Sequence, residues 1–158
     1  MITIDRSINY HTPLIIEMVE NTMHNAKEFQ KQKIFRSLSK LTFKEELCTL
    51  KISLPRRAGH TTAALALLNR YPDSYLTILS SSRKNSCLEQ FSEFISDIDD
   101  VKERLLIIDQ SPKHCKIPSK IPLLISDGID IFQRARFQNN PFLEELILRS
   151  EVILLLQV

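Results

Sequence analysis

Leu47-Cys48-Thr49-Leu50-Lys51-Ile52-Ser53-Leu54, then Pro55-Arg56-Arg57-Ala58-Gly59-His60, then Thr61-Thr62-Ala63-Ala64-Leu65-Ala66-Leu67-Leu68-Asn69-Arg70, is the stretch that decides the fold. Its first part mixes alternating polarity with β-formers and reads as a strand. The middle part is a break. The last part is rich in Ala and Leu and reads as a helix, ended by Tyr71-Pro72-Asp73. A strand, a short loop and a helix make the first half of a crossover unit. In an open α/β sheet, ligands bind beyond the carboxyl ends of the strands, where helix N-termini point. The same break is therefore the first place to look for chemistry.

Working outward, 75–79 reads as a second strand, and Ser80, Ser81, Ser82, Asn85 and Ser86 offer caps for a helix across 87–98. A third strand falls within 103–109, and a polar loop containing proline covers 110–120. A fourth strand over 122–126 is ended by Asp127-Gly128. A short helix over 129–136, a stronger one over 141–149 and an apolar strand over 151–158 complete the pattern. Upstream, 12–40 reads as helix, with Thr12 as N-cap and Pro13 at the first helical position. Ile15, Val19, Thr22, Ala26 and Phe29 mark its buried face; a break is expected near 30–33, before Ile34, Phe35 and Leu38 resume the apolar phase. Thr42-Phe43-Lys44-Glu45 has capping-box form and predicts a short turn of helix. Strands alternating with helices imply an α/β three-layer sandwich with a mostly parallel sheet of about five strands and right-handed crossovers. The expected organisation is a single domain over 1–158, with a helical N-terminal segment (1–44) before an α/β core (45–158).

Composition narrows the function classes. A 158-residue chain with 43% hydrophobic and 25% charged residues is an ordinary globular protein. Apolar runs such as 105–108 and 152–156 fall far short of the ~20 residues that span a bilayer. Met1-Ile2-Thr3-Ile4-Asp5 lacks the basic and apolar regions of a signal peptide. Cys48, Cys87 and Cys115 are odd in number and widely spaced, which argues against a disulfide framework and for a reducing cytoplasm. His114-Cys115 lacks zinc-ligand spacing, and His11 and His24 have no identifiable partners. Asp97, Asp99 and Asp100 are expected to close a helix or face solvent. No Ser-His-Asp or Cys-His arrangement and no G-x-G-x-x-G is present, so no catalytic residue is assigned and a dinucleotide site is not expected.

Net charge is +2, but its distribution is uneven. Across 27–57, Lys27, Lys31, Lys33, Arg36, Lys40, Lys44, Lys51, Arg56 and Arg57 are opposed only by Glu28, Glu45 and Glu46. A segment of that kind suits a phosphate-bearing partner such as nucleic acid, and equally a solvated helix face. The chain has two glycines, Gly59 and Gly128, where ~7% usage would give about eleven. Each is expected where the backbone needs it.

The loop between the first strand and its helix maps onto the Walker A pattern G-x-x-x-x-G-K-[ST]. That pattern wraps backbone N–H groups around phosphates, supplies a lysine charge and places a hydroxyl on Mg²⁺. Gly59 fits the second glycine and Thr61 the hydroxyl, while Leu54 replaces the first glycine and His60 the lysine. Pro55-Arg56-Arg57-Ala58-Gly59-His60-Thr61-Thr62 resembles the loop of large terminase subunits, the phage DNA-packaging ATPases, a family that often lacks the first glycine and carries arginine shortly before the second. Tyr75-Leu76-Thr77-Ile78-Leu79-Ser80-Ser81-Ser82-Arg83 resembles the following strand and loop of terminases and related helicases. Leu123-Leu124-Ile125-Ser126-Asp127-Gly128 resembles Walker B, with Gly128 where the catalytic Glu would stand, and 151–158 sits where the coupling strand would run. Leu105-Leu106-Ile107-Ile108-Asp109-Gln110 is a rival Walker B; Asp127 is preferred because terminases place one further strand before it. The resemblance covers roughly residues 45–158.

The resemblance implies a P-loop NTPase-like, degenerate phosphate site for ATP and Mg²⁺. Arg56, Arg57, Gly59, His60, Thr61 and Thr62 would bind nucleotide, with Thr61 and Asp127 on the metal. Arg134 and Arg136 follow Walker B and could reach phosphate in trans, or form a solvated face. Neutral histidine in place of lysine and glycine in place of glutamate predict poor hydrolysis, since general-base roles alone contribute about 10²–10⁴-fold. The implied function is a nucleotide-binding, terminase- or helicase-like protein of phage origin in the host cytoplasm. It would act with DNA or a packaging or replication partner, with slow turnover at most. The alternative is a non-enzymatic phage protein that reuses the fold to bind a host or phage protein without nucleotide. Full terminases continue into a nuclease domain, whereas this sequence stops at Val158, so the expectation is the ATPase-like part alone.

Overall fold

The computed structural model describes residues 2–32, 37–53, 60–79, 81–90, 92, 97–108, 117–138 and 140–157; for 2–12, 60, 81, 90 and 98 it describes the backbone alone. Helices α1 (Ile2–Lys31) and α2 (Lys40–Leu47) precede β1 (Thr49–Ser53). Then come α3 (His60–Arg70), β2 (Tyr75–Ile78), α4 (Ser81–Gln90), α5 (Ile98–Glu103) and β3 (Leu105–Ile107). The chain continues with β4 (Ile121–Asp127), α6 (Ile131–Phe137), α7 (Pro141–Arg149) and β5 (Ser150–Gln157). The strands form one sheet in the order β1-β5-β4-β2-β3, and every pairing is parallel. This is the α/β sandwich the alternation of elements predicts.

The strand order also dictates the layers. The chain steps across the sheet one way from β1 to β3 and returns from β3 to β5. Right-handed crossovers then place α3, α4 and α5 on one face and α6 and α7 on the other. The core divides accordingly. Ala63, Ala64, Leu67 and Leu68 of α3 bury against Leu76, Leu123, Ile125 and Leu154, whereas Ile131, Phe132, Leu143 and Leu146 bury against Leu124, Ile153 and Leu155. Strand β5, covered on both faces, is apolar without alternation from Val152 to Leu156, all fully buried. At ~25 cal/mol per Å² of apolar surface, each such side chain stabilises the fold by about 1.5–3 kcal/mol.

Helix α1 joins the α3 face through Ile15, Val19 and Ala26, and Arg70 Nη2 donates to Glu20 Oε1 at 2.6 Å. It starts at Ile2, so Thr12 is not its cap and Pro13 lies inside it. Thr-Pro at a helix start and a proline within a helix are the same local sequence, and only the residues before them tell the two apart. Helix α2 is capped by Ser39, whose Oγ accepts from Thr42 N at 3.2 Å, rather than by Thr42. The helix expected over 87–98 is instead α4, starting at Ser81, with α5 separate from it. Asp97 opens α5 as its N-cap, with Asp99 and Asp100 in the first turn, so these acids begin a helix and do not close one, and all three face solvent as the other expectation had it. Arg104, 7% exposed, sends Nη1 to the carbonyls of Leu68 (2.8 Å), Tyr71 (3.2 Å) and Ser74 (3.2 Å). It thereby fastens the end of α3 to the start of β2, while Asp100 holds its Nη2 at 2.9 Å.

Candidate functional site

The first turn of α3 and the end of β4 meet. Thr61 donates its hydroxyl to Asp127 Oδ2 at 3.0 Å, joining residues 66 positions apart. Both side chains are partly buried. Thr61 is the second residue of α3, where the helix's leading N–H groups lack intrahelical acceptors and carry partial positive charge. Thr62, the next residue, is likewise partly buried in that turn.

Asp127 is held by the turn behind it. Ser126 Oγ donates to Ile129 O at 2.7 Å, Gly128 N donates to Leu156 O at 2.7 Å, and Asp130 Oδ1 caps α6 by accepting from Phe132 N and Gln133 N. Gly128 has φ +75°, left-handed backbone that glycine adopts without strain. A Cβ built there meets nothing within 4 Å. Among the described residues, open space rather than a side chain thus stands beside Gly128. Glycine's role at this position was legible from its scarcity.

Helix α4 closes a third side. β2 pairs with β4 so that Thr77 lies opposite Ser126, and α4 begins just beyond the end of β2. Cys87, 7% exposed, is near enough to feel Asp127: burial pushes its thiol up to about 11, the Asp127 charge adds to the rise, and Arg83 one turn earlier opposes it. Cys87 was missed by motif reading. The available signal was its position one helical turn after Arg83, in the element that follows a strand adjacent to β4.

Of the residues expected to bind phosphate, Thr61 and Asp127 are brought together. Arg56, Arg57 and Gly59 lie outside the described residues, and His60 is described as the first residue of α3 without its side chain. Asp109 also lies outside them, but its strand β3 is at the far edge of the sheet, three strands from β5 and four from β1 in the order above. Strand β4 is separated from β1 by β5 alone. His114 and Cys115 fall outside the described residues as well. Arg136 pairs with Glu45 of α2, which ties α6 to the N-terminal part of the chain and draws it into a structural contact. The basic segment is dispersed: Lys27, Lys31, Lys40 and Lys51 are exposed, Lys31 pairs with Glu28, and Lys44 turns inward to Ser150 O at 2.6 Å. Lys33 and Arg36 lie outside the described residues.

A hydroxyl and a carboxylate are oxygen donors suited to a hard cation such as Mg²⁺, which typically takes one or two protein oxygens and completes its shell with phosphate and water. Among the described residues there is no group of three or more His, Cys, Asp and Glu that could hold a metal by itself. No helix among them is long and apolar enough to cross a membrane. Comparison with protein-family models, curated proteins and solved structures gives no match for the chain.

Proposed function

We propose that the rim formed by the start of α3 and the end of β4 binds a magnesium–nucleoside triphosphate and turns it over poorly. The observation that supports this reading is the Thr61–Asp127 hydrogen bond at 3.0 Å. It joins the loop-proximal hydroxyl of a strand–loop–helix unit to the carboxylate ending a buried strand, the two oxygens that would hold Mg²⁺ in a phosphate site of this kind. The cation would supply charge neutralisation for the β- and γ-phosphates. Thr61 and Asp127 would orient it, and the first N–H groups of α3 would accept phosphate oxygen.

Two features argue for binding over hydrolysis. Gly128 offers no side chain to orient an attacking water, and His60 stands where a permanent lysine charge would be. In this reading the chain is a terminase- or helicase-like module of phage origin that acts with DNA or with a packaging or replication protein, and nucleotide occupancy, rather than turnover, sets its state.

The test is titration with a fluorescent ATP analogue, with and without Mg²⁺, beside a phosphate-release assay. The reading predicts saturable Mg²⁺-dependent binding that Asp127→Asn weakens, and phosphate release close to background. Binding indifferent to both Mg²⁺ and Asp127 would overturn it. A complete lack of binding would favour the alternative in which the fold serves protein recognition alone.

A further inference from the structure

A second concave site lies away from the sheet rim, where the end of α1, the whole of α2 and the end of α7 converge. Its volume is about 420 Å³, within the range of small-molecule pockets. Phe29, Leu38, Phe43 and Leu148 supply apolar walls, and Lys40 and Lys44 are its charged groups among the described residues. Gln30 and Gln32 add amide donors at one side. Among the described residues no carboxylate lines it.

Lys44 is the unusual member. Its ammonium is partly buried and fixed in place by donation to Ser150 O at 2.6 Å. That contact uses one of three protons. Among the described residues no carboxylate pairs with it. The Glu151 charge acts on it favourably but is engaged by Lys120 at 2.6 Å, and the Cys48 thiol and Lys120 are the other titratable groups acting on it. Burial accordingly holds the Lys44 amine below its ordinary range. Lys40, one turn earlier on α2, is exposed at the mouth and likewise has no carboxylate partner among the described residues. A partly buried cation whose neighbouring carboxylate, Glu151, is paired with another lysine carries a cost that a bound anion would offset.

We propose that this groove binds a small amphipathic anion, an aryl or short acyl carboxylate, whose charged end meets Lys44 and Lys40 and whose apolar body lies among Phe29, Leu38, Phe43 and Leu148. The charge balance selects an anion over a neutral ligand. The aromatic and leucine walls select an apolar body over a free inorganic ion. The site stands independently of the nucleotide reading, because it shares no residue with the sheet rim.

The probe is 2-naphthoate, followed by fluorescence anisotropy, which the absence of tryptophan leaves free of indole background. The expected result is saturable binding, weakened about five-fold by Lys40→Gln, as for loss of one exposed ion pair. The neutral analogue 2-naphthalenemethanol should bind about ten-fold more weakly than the acid, as for loss of a charge-assisted contact. Leu38→Glu places a carboxylate at the mouth and should abolish binding. Leu38 is 38% exposed, so this variant leaves the core intact and decides the matter even if Lys44→Met destabilises the chain. Equal binding of acid and alcohol, binding unaffected by Leu38→Glu, or no saturation at millimolar naphthoate would each overturn the proposal.

Discussion

Removing the Thr61 hydroxyl tests the site geometry before any ligand is added. Thr61→Val keeps shape and takes away the donor to Asp127 Oδ2. Asp127→Asn keeps shape and takes away the charge. A hydrogen bond to an ionised group contributes about 1.5–3 kcal/mol, and partial burial of both side chains places this one near the lower end, at about 1.5 kcal/mol. For a chain of this length 1 kcal/mol corresponds to roughly 2–4 °C in Tm, so Thr61→Val should melt about 3–6 °C below the native chain. The discriminating quantity is the coupling energy from a double-mutant cycle, read by urea unfolding. If the two groups interact as described, the double variant is less destabilised than the sum of the singles by about 1 kcal/mol. Additivity to within about 0.3 kcal/mol would mean that the groups do not interact in solution, and the argument that the rim is a prearranged site would fail.

Other outcomes follow from the same structure. Cys87 has a folded value of about 11 against an ordinary 9.0. The unfolded chain therefore releases this proton first as pH rises, and stability is lost between about pH 9 and about pH 11, by on the order of 3 kcal/mol. Urea midpoints across that window should fall less steeply in Cys87→Ala, and Asp127→Asn should lower the thiol's titration midpoint as read by thiolate absorbance. Arg104→Met strands the carbonyls of Leu68, Tyr71 and Ser74 and should cost about 3 kcal/mol, visible as a Tm drop of roughly 6–12 °C by calorimetry. Leu154→Ala opens a cavity in the middle of the sheet and should lower the unfolding free energy by about 2–5 kcal/mol in urea titrations. Gly128→Ala has room for its Cβ and loses only the left-handed backbone preference, about 1–2 kcal/mol, with Gly128→Asn milder in the same assay.

The legible parts of this fold were those written in local pattern. The run from Leu47 to Arg70 announced a strand, a break and a helix, and β1 and α3 stand there with ends shifted by a residue or two. The unbroken apolar run of β5 announced a strand, which the structure buries on both faces. Helix α7 was marked at both ends by Asn140-Pro141 and Arg149, and its bounds match. Less legible were features whose cause is distant in sequence. Pro13 reads as a helix start unless the preceding residues are known to be helical. Ser39 and Thr42 compete as caps, and only the chain's direction into α2 decides between them. Arg104 begins what reads as a strand, yet it serves as a donor to carbonyls 30 to 36 residues away, which no spacing rule foresees.

The candidate site divides in the same way. Thr61 and Asp127 were singled out by the order of two weak motifs, but their approach to 3.0 Å follows from the strand order, which leaves β5 alone between β4 and β1 and sends β3 to the edge. The rival Asp109 carried a similar local pattern and lies outside the described residues, so only Asp127 is seen beside Thr61. Cys87 went unmarked as a site residue and Lys44 was read only as one of a basic run, because burial, not residue type, makes them notable.

The central claim is that the rim takes a magnesium nucleotide, and calorimetry tests it most directly. Mg²⁺-ATP is titrated into the native chain and into a variant carrying Gly59→Asp with Arg57→Ala. The account predicts saturable binding to the native chain that the variant loses while keeping its far-ultraviolet circular dichroism. No heat of binding to the folded native chain at millimolar nucleotide, or equal binding to both, would contradict it.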